Sequence, residues 1–277
     1  METSDLTVVI VTLKSEEVIF TCLDSIPSNI KVIVVENSNN KKLKEQLEEK
    51  YQNTKCILAG ENNGYAVGNN IGLRKVNTKY ALILNPDTEL KKDTILNFFK
   101  TAELVPEFWL IGPGNNQANL KSFDDNGLVE VNNLKGFAIF FNLIKFNKIF
   151  FDENFFLYFE EIDLCKDLEK RGGKIYLSKK IVIDHLGASS VKRNQNFELE
   201  KNRNWHWMWS TFYYHKKHKG FIIALLIISP KIFSSLIKIV FYQIIFNKEK
   251  RNIFVCRLNG IINSILGKKS WYRPSLD

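Results

Sequence analysis

Tyr80-Ala81-Leu82-Ile83-Leu84-Asn85-Pro86-Asp87-Thr88 is the stretch around which the chain is organised. Its apolar first half reads as a buried strand. Pro86 and Asp87 then stop that strand. The Asp87 carboxylate is left at the carboxyl end of an expected parallel sheet, where ligands bind in open α/β folds. Two readings stay open for it. It holds a divalent cation, since hard oxygen donors suit Mg²⁺ and Mn²⁺, or it caps the following helix.

Upstream, Leu6 to Val11 is a β-branched apolar run that ends at Thr12. Ser15-Glu16-Glu17 opens a helical pattern closing near Pro27. Lys31 to Val35 reads as a second strand with Glu36-Asn37-Ser38 at its end, Lys41 to Tyr51 as a polar surface helix, and Cys56 to Leu58 as a third strand. This alternation builds βαβ units and a parallel sheet. The strands are apolar on both faces, as burial on both sides requires. In Glu61-Asn62-Asn63-Gly64-Tyr65-Ala66-Val67-Gly68-Asn69-Asn70-Ile71-Gly72, the three glycines fall on one helix face. They either bring a helix start close to a nucleotide or let the helix pack tightly on the sheet. The spacing is not G-x-G-x-x-G and no Walker lysine follows, which argues against dinucleotide and P-loop readings.

Downstream, Leu134 to Phe141 is an apolar strand carrying Gly136. Phe151 to Cys165 contains Glu160, Glu161 and Asp163, three acids at a helix start. Their repulsion should raise one pKa, as a general base facing a hydroxyl needs. The helix N-terminus offsets part of that repulsion, and an ordinary acidic first turn is the alternative. Ile181 to His185 is a strand ending in an imidazole, either a metal ligand or a hydrogen-bonded strand end. Gly187 to Asn196 reads as a loop able to close over a diphosphate.

The 277 residues, 45% hydrophobic and 25% charged, suit one large domain with an extension. The net charge of +9 is uneven: from Lys216 onward there are twelve Lys or Arg against two acids. That charge sits beside long apolar helices and no nucleic-acid-reading motif, so an anionic membrane surface is the expected partner and nucleic acid is not. Phe221 to Phe246 is apolar but interrupted by Pro230, and Lys231, Ser235, Lys238 and Tyr242 form a polar stripe. A charge near mid-bilayer costs roughly 2.5–3.5 kcal/mol, so a helix pair lying in the interface is expected; a homodimer interface and a true span are the alternatives. The aromatic run Trp205 to Tyr214 is core, acceptor platform or interfacial belt. A boundary is expected near Lys219-Gly220, giving units 1–219 and 220–277. Four scattered cysteines indicate reduced thiols, neither a zinc site nor a disulfide framework. The acidic N-terminus has no signal-peptide pattern, so a cytoplasmic location is expected, peripheral on the inner face of the membrane.

The order of motifs resembles the inverting family-two glycosyltransferases, in particular their rhamnosyltransferase-like branch. The resemblance runs through Val11-Thr12, Val34-Val35-Glu36-Asn37, Asn62-Asn63-Gly64-Tyr65-Ala66, Gly68-Asn69-Asn70, Leu84-Asn85-Pro86-Asp87-Thr88 and Phe151-Asp152-Glu153 through Leu164, and covers residues 6 to 219. It implies a GT-A fold, one α/β domain with a mainly parallel sheet that binds a nucleotide sugar. It implies transfer from a UDP- or dTDP-sugar to a glycan or lipid-linked glycan hydroxyl with inversion, in lipopolysaccharide, O-antigen or capsule assembly. Glu161 maps to the base, with Glu160 or Asp163 positioning the acceptor. Thr12, Glu36, Asn37, Asn63, Gly64, Gly68, Asn69, Asn85 and Gly136 map to the nucleotide-sugar site, and Asp87 with His185 to an Mg²⁺ or Mn²⁺ site. The chain carries Glu36 and Glu161 where the family usually has Asp, and Asn85 in place of the first metal-motif Asp. Those departures motivate a second reading, a catalytically silent membrane-bound scaffold.

Overall fold

The computed structural model describes residues 3–116, 123–185 and 196–273. The chain divides into two compact units. The first takes the described residues of Met1–Asp152 and Glu161–Val191, the second those of Glu153–Glu160 and Lys192–Asp277.

The first unit is built on the expected apolar runs. Strands β1 (Leu6–Thr12), β2 (Lys31–Glu36), β3 (Thr54–Leu58) and β4 (Tyr80–Leu84) are joined by helices α1 (Ile19–Asp24), α2 (Lys41–Lys50) and α3 (Gly64–Leu73). They run parallel in the order β3-β2-β1-β4. The helix expected from Ser15 begins later, because Ser15 to Val18 form a turn whose Ser15 carbonyl accepts from Val18 and Ile19. Beyond Asp87 come β5 (Thr88–Leu90), α4 (Thr94–Leu104), β6 (Phe108–Pro113), β7 (Leu128–Glu130), β8 (Ala138–Asn142), α5 (Glu160–Lys170), β9 (Lys174–Ser178) and β10 (Ile183–His185). The main sheet continues β4-β8-β6-β9-β7, with β8 antiparallel to both β4 and β6. The strand expected from Leu134 starts only at Ala138, after Gly136 and Phe137 have crossed beside the end of β4. β5 and β10 form a separate antiparallel pair in which Thr88 faces His185.

Tyr80, Phe98, Phe99, Phe108 and Phe140 stack at the centre of the core. Helix α3 lies unusually close to the sheet. A Cβ on Gly72 would sit 2.3 Å from Val9 Cγ1, and one on Gly68 would sit 2.7 Å from Val11 Cγ1. Of the two readings of this glycine face, tight packing on β1 is the one the contacts support.

The second unit is helical. Helices α6 (Asn196–Lys219), α7 (Phe221–Ile244) and α8 (Lys248–Ile265) pack on one another. The division therefore falls before α6, not near Lys219-Gly220. The reason is packing: Met208 and Phe212 of α6 share a core with Ala224 and Ile228 of α7 and Ile261 of α8. Trp205 Nε1 donates to Asn259 Oδ1 at 2.7 Å, and Gly260 lets α8 approach the Trp205 carbonyl. Much of the aromatic run is thus helical core. His206 is buried between Ser270 Oγ and the Tyr272 carbonyl, at 2.8 Å from each. Burial pulls its pKa down to about 3, so it stays neutral, donating from Nε2 and accepting at Nδ1.

Helix α7 stays continuous through Pro230. Proline leaves the Leu226 carbonyl without its usual N–H donor, and Ser229 Oγ donates to that carbonyl at 3.0 Å.

The glycine face gives a test with a sign. Gly→Ala in a helix interior ordinarily gains about 1 kcal/mol. At Gly72 the new methyl overlaps Val9, and overpacking costs roughly 1–3 kcal/mol. Gly72→Ala is therefore expected to lower the urea unfolding midpoint. A raised midpoint would show that α3 can lift from β1 at no cost.

Candidate active site

The carboxyl ends of β1, β2 and β4 lie side by side, because Thr12 pairs with Glu36 and Ile10 with Leu84. Thr12 and Glu36 end β1 and β2, Asn37 follows β2, and Asn85 follows β4. Thr12 is fully buried, and its hydroxyl has no hydrogen-bond partner among the described residues. Asn37 follows β2, with its N–H donating to the Thr12 carbonyl at 2.8 Å and its Nδ2 to the Gly64 carbonyl at 3.0 Å. Its Oδ1 is buried and has no partner among the described residues. Buried polar atoms are rarely left unpaired, which sets these two apart from the other polar atoms at the strand ends.

Glu36 is bonded within its own turn. It is 0% exposed, and its carboxylate accepts from the N–H and hydroxyl of Ser38 and, at 2.5 Å, from the N–H of Asn40. The side chain folds back onto its own turn. Asn63 likewise holds its own loop, donating to the carbonyls of Ala59 and Glu61. Asn69 donates to the Tyr65 carbonyl one turn back in α3. Gly64 has a φ of +78° at the helix start, a conformation that suits glycine. Gly68 serves the contact with β1. Among the residues expected to touch the nucleotide sugar, the side chains of Glu36, Asn63 and Asn69 bond within their own turn, loop or helix, while Thr12 and Asn37 carry buried atoms without a partner among the described residues.

Asn85 ends β4. Its N–H donates to the Phe137 carbonyl at 2.8 Å, which sets Gly136 beside the strand end. The Tyr65 hydroxyl donates to the Gly136 carbonyl, and a Cβ on Gly136 would lie 3.1 Å from that hydroxyl. The Asn85 carbonyl accepts from the Thr88 hydroxyl at 2.7 Å, closing the turn that contains Asp87.

Asp87 and His185 come together through the β5–β10 pair. His185 Nε2 lies 3.4 Å from Asp87 Oδ1, and the imidazole stacks on Phe137 with centroids 4.7 Å apart. Asp87 is 5% exposed. Among the described residues no third His, Cys, Asp or Glu completes a cluster with them. The Asp87 carboxylate fits a magnesium- or manganese-type ion, which keeps waters and takes its remaining ligands from substrate phosphates, whereas the His185 imidazole is a softer donor.

The chain enters α5 through Tyr158 and Phe159, both left-handed at φ +70° and +73°. Such conformations in non-glycine residues cost of order 1–3 kcal/mol each and cluster at functional sites. Within the second unit, Tyr158 and Phe159 pack on Trp207, and Phe159 on Tyr214. Glu160, also in that unit, is almost fully buried at the head of α5. In the first unit, Glu161 has its carboxyl pushed above the usual glutamate range by burial, while the N–H groups of Glu161 and Ile162 pull it back. Asp163 is buried. The sequence-expected closing loop, Gly187 to Asn196, lies outside the described residues apart from the backbone of Asn196.

Sequence reasoning missed Asn70. It is fully buried, its Nδ2 donates to the Phe151 carbonyl at 2.9 Å, and its Oδ1 accepts from the Phe151 N–H at 3.0 Å. This paired contact ties α3 to the chain leading into the acidic segment. An amide on an otherwise apolar helix face was the available signal.

The model of the family described as Glycosyl transferase family 2 matches residues 7–163. The low-salt glycan biosynthesis hexosyltransferase Agl10 of Haloferax volcanii is 27% identical over 188 residues, covering 58% of this chain. The chain spans 60% of that relative's length. In fold it is similar to TarS 1–349 of S. aureus, with TM-score 0.54, 17% identity, and coverage of 97% of this chain and 93% of that one. It is also similar to the mannosyltransferase PcManGT of Pyrobaculum calidifontis, solved with GDP-Man and Mn²⁺, with TM-score 0.58, 13% identity, and coverage of 96% and 88%.

Asn70→Ala would leave the Phe151 N–H and carbonyl buried without their partner. Each such group costs about 1–3 kcal/mol. Denaturant unfolding is expected to show a loss of that order. A wild-type midpoint would mean that the loop finds other partners.

Proposed function

Because the chain belongs to glycosyl transferase family 2, we propose that it transfers a sugar from a UDP- or dTDP-sugar to a hydroxyl of a glycan or lipid-linked glycan, with inversion. The observation that carries this reading is the meeting of Asp87 and His185 beside the end of β4. It supports a cation site beside a strand end, the kind of position where open α/β sheets take their ligands.

In this reading the Thr12 hydroxyl and the Asn37 amide oxygen bond the nucleotide. The Gly136 backbone lies along the donor sugar, fixed there by Tyr65. Asp87 and His185 would hold Mg²⁺ or Mn²⁺, which offsets the charge of a departing diphosphate when bound. Glu161 takes the proton of the acceptor hydroxyl. The acceptor oxygen forms its bond to the anomeric carbon as the bond from that carbon to the diphosphate oxygen breaks. Attack from the face opposite the leaving group inverts the centre. Glu160 or Asp163 positions the acceptor. The place of the reaction is bacterial surface-glycan assembly, of the lipopolysaccharide, O-antigen or capsule type. The relationship to a glycan biosynthesis hexosyltransferase supports a hexose or deoxyhexose as the sugar.

The second unit is the proposed anchor. Helix α7, 24 residues long, passes for a membrane span by length and composition. Lys231 and Lys238 in its interior argue for lying in the interface instead, on the cytoplasmic face.

Asp87→Ala is expected to keep the fold and to abolish Mn²⁺-dependent UDP or dTDP binding in calorimetric titration. Unchanged affinity and metal dependence would remove Asp87 from the site. Glu161→Gln is expected to keep donor binding and lower turnover about 10²–10⁴-fold. Its raised pKa also sets a sign. The base is protonated at low pH, so wild-type kcat should fall as pH drops through a value above the ordinary glutamate range. That acid limb should be missing from the residual activity of Glu161→Gln. A limb that survives the substitution belongs to another carboxylate.

A further inference from the structure

A cavity of about 230 Å³ lies between α7 and α8. Lys231, Ser234, Lys238, Phe254 and Arg257 are among the side chains that line it. The lysine stripe of α7 therefore faces α8 here and not open solvent alone. Lys238 Nζ sits 4.8 Å from the centroid of the Phe254 ring, and the Arg257 guanidinium 5.7 Å from the same centroid. Arg257 Nη1 donates to Asn204 Oδ1 at 2.9 Å, which aims the fork, while its Nε is buried and has no partner among the described residues. Among the described residues no carboxylate pairs with Lys231, Lys238 or Arg257.

Three cations around one cavity without a counter-charge is an unfavourable arrangement on its own. Partial burial and the neighbouring Arg257 charge pull the Lys231 pKa down, and burial does the same to Arg257. An anion in the cavity would relieve both costs, and a tetrahedral oxyanion matches a donor set of one guanidinium, two ammonium groups and a hydroxyl. The surface beside the cavity shows what carries that anion. Phe233, Ile237, Val240, Phe241 and Ile244 expose a continuous apolar face on α7. Monomeric proteins rarely leave such a face uncovered.

We propose that this cavity seats the head-group phosphate of an anionic phospholipid, whose acyl chains meet the apolar face of α7. The inference rests on the interfacial reading of the second unit and adds a discrete site to it. The site differs from diffuse attraction in one measurable way. Exposed charges beyond a Debye length are screened by salt, whereas partly buried pairs are screened much less.

The test is co-sedimentation of the full chain with phosphatidylglycerol-containing vesicles at low and high salt. Lys231→Gln/Lys238→Gln removes two charges from the cavity. Lys268→Gln/Lys269→Gln removes two exposed charges outside it. At low salt both pairs should weaken binding by about tenfold or more, since each basic residue near such a surface contributes of order fivefold. At high salt the loss should persist for the cavity pair and fade for the outside pair. Arg257→Lys, which keeps the charge and loses the fork, should also weaken binding at high salt; circular dichroism confirms that each variant folds. If the two pairs lose their effect together as salt rises, the cavity is only part of a diffuse basic surface. If inorganic phosphate raises the unfolding temperature of the wild type but not of the cavity pair, and both bind vesicles alike, the ligand is a soluble phosphate and the lipid assignment is wrong. A wild type that never sediments with vesicles sinks the interfacial reading itself; one that sediments no better than the cavity variants sinks only the site.

Discussion

The close approach of α3 to β1 is the constraint on which the first unit's site depends. Gly68 and Gly72 leave no room for even a methyl group between helix and strand. With the helix held at that depth, its other side chains reach their partners. Tyr65 donates to the Gly136 carbonyl, Asn70 clasps the Phe151 backbone, and the Gly64 carbonyl receives Asn37. One helix thus registers the end of β2, the segment before β8 and the approach to α5. A small outward shift of α3 would loosen all three together, since the contacts are short and directional.

The acids around this frame differ by environment more than by type. Glu36 is held by N–H and hydroxyl donors of its own turn. Its extra methylene, relative to aspartate, lets the carboxylate reach Asn40 four residues on and makes a turn clasp of it. Asp87 sits against an imidazole that Phe137 holds flat by stacking. Glu161 stands at a helix start, where burial and backbone donors pull its pKa in opposite directions. One is spent on structure, one is poised beside a second donor, and one has the raised proton affinity that suits proton transfer. Residue identity alone could not have separated them.

Strands β1 to β4 were legible because buried parallel strands must be apolar on both faces, whereas β5, β6, β7 and β9 and the order of the strands in the sheet were not. Asp87 was legible as the polar residue that ends such a run. Other features depend on what lies opposite, which a sequence does not display. The glycines of α3 fit a nucleotide or a strand equally well until Val9 and Val11 are found beneath them. The aromatic run of α6 fits a membrane belt or a helical core until Gly260 and Asn259 of α8 are found against Trp205. For the same reason the boundary falls before α6. The link between Asp87 and His185 came from family resemblance, since it passes through the two-stranded pair of β5 and β10. Asn70 was overlooked because its partners are backbone atoms, which leave no trace in residue types.

The second unit raises the question of why a helix as apolar as α7 carries a proline and two interior lysines. Pro230 is tolerated because Ser229 satisfies the carbonyl that it strands. The lysines are tolerated because the stripe they form turns toward α8, where Phe254 offers its ring face to Lys238. The opposite face of α7 is then free to be wholly apolar. A spanning helix would bring Lys231 and Lys238 into hydrocarbon at roughly 2.5–3.5 kcal/mol each. A water-exposed one would leave the phenylalanines and isoleucines hydrated, at about 25 cal/mol for each square ångström that could have been buried. A helix lying at a membrane surface avoids both costs, with its apolar face in the acyl region and its cations at the depth of the phosphates. That two-sided division of charge and apolar area favours the interfacial reading over the span.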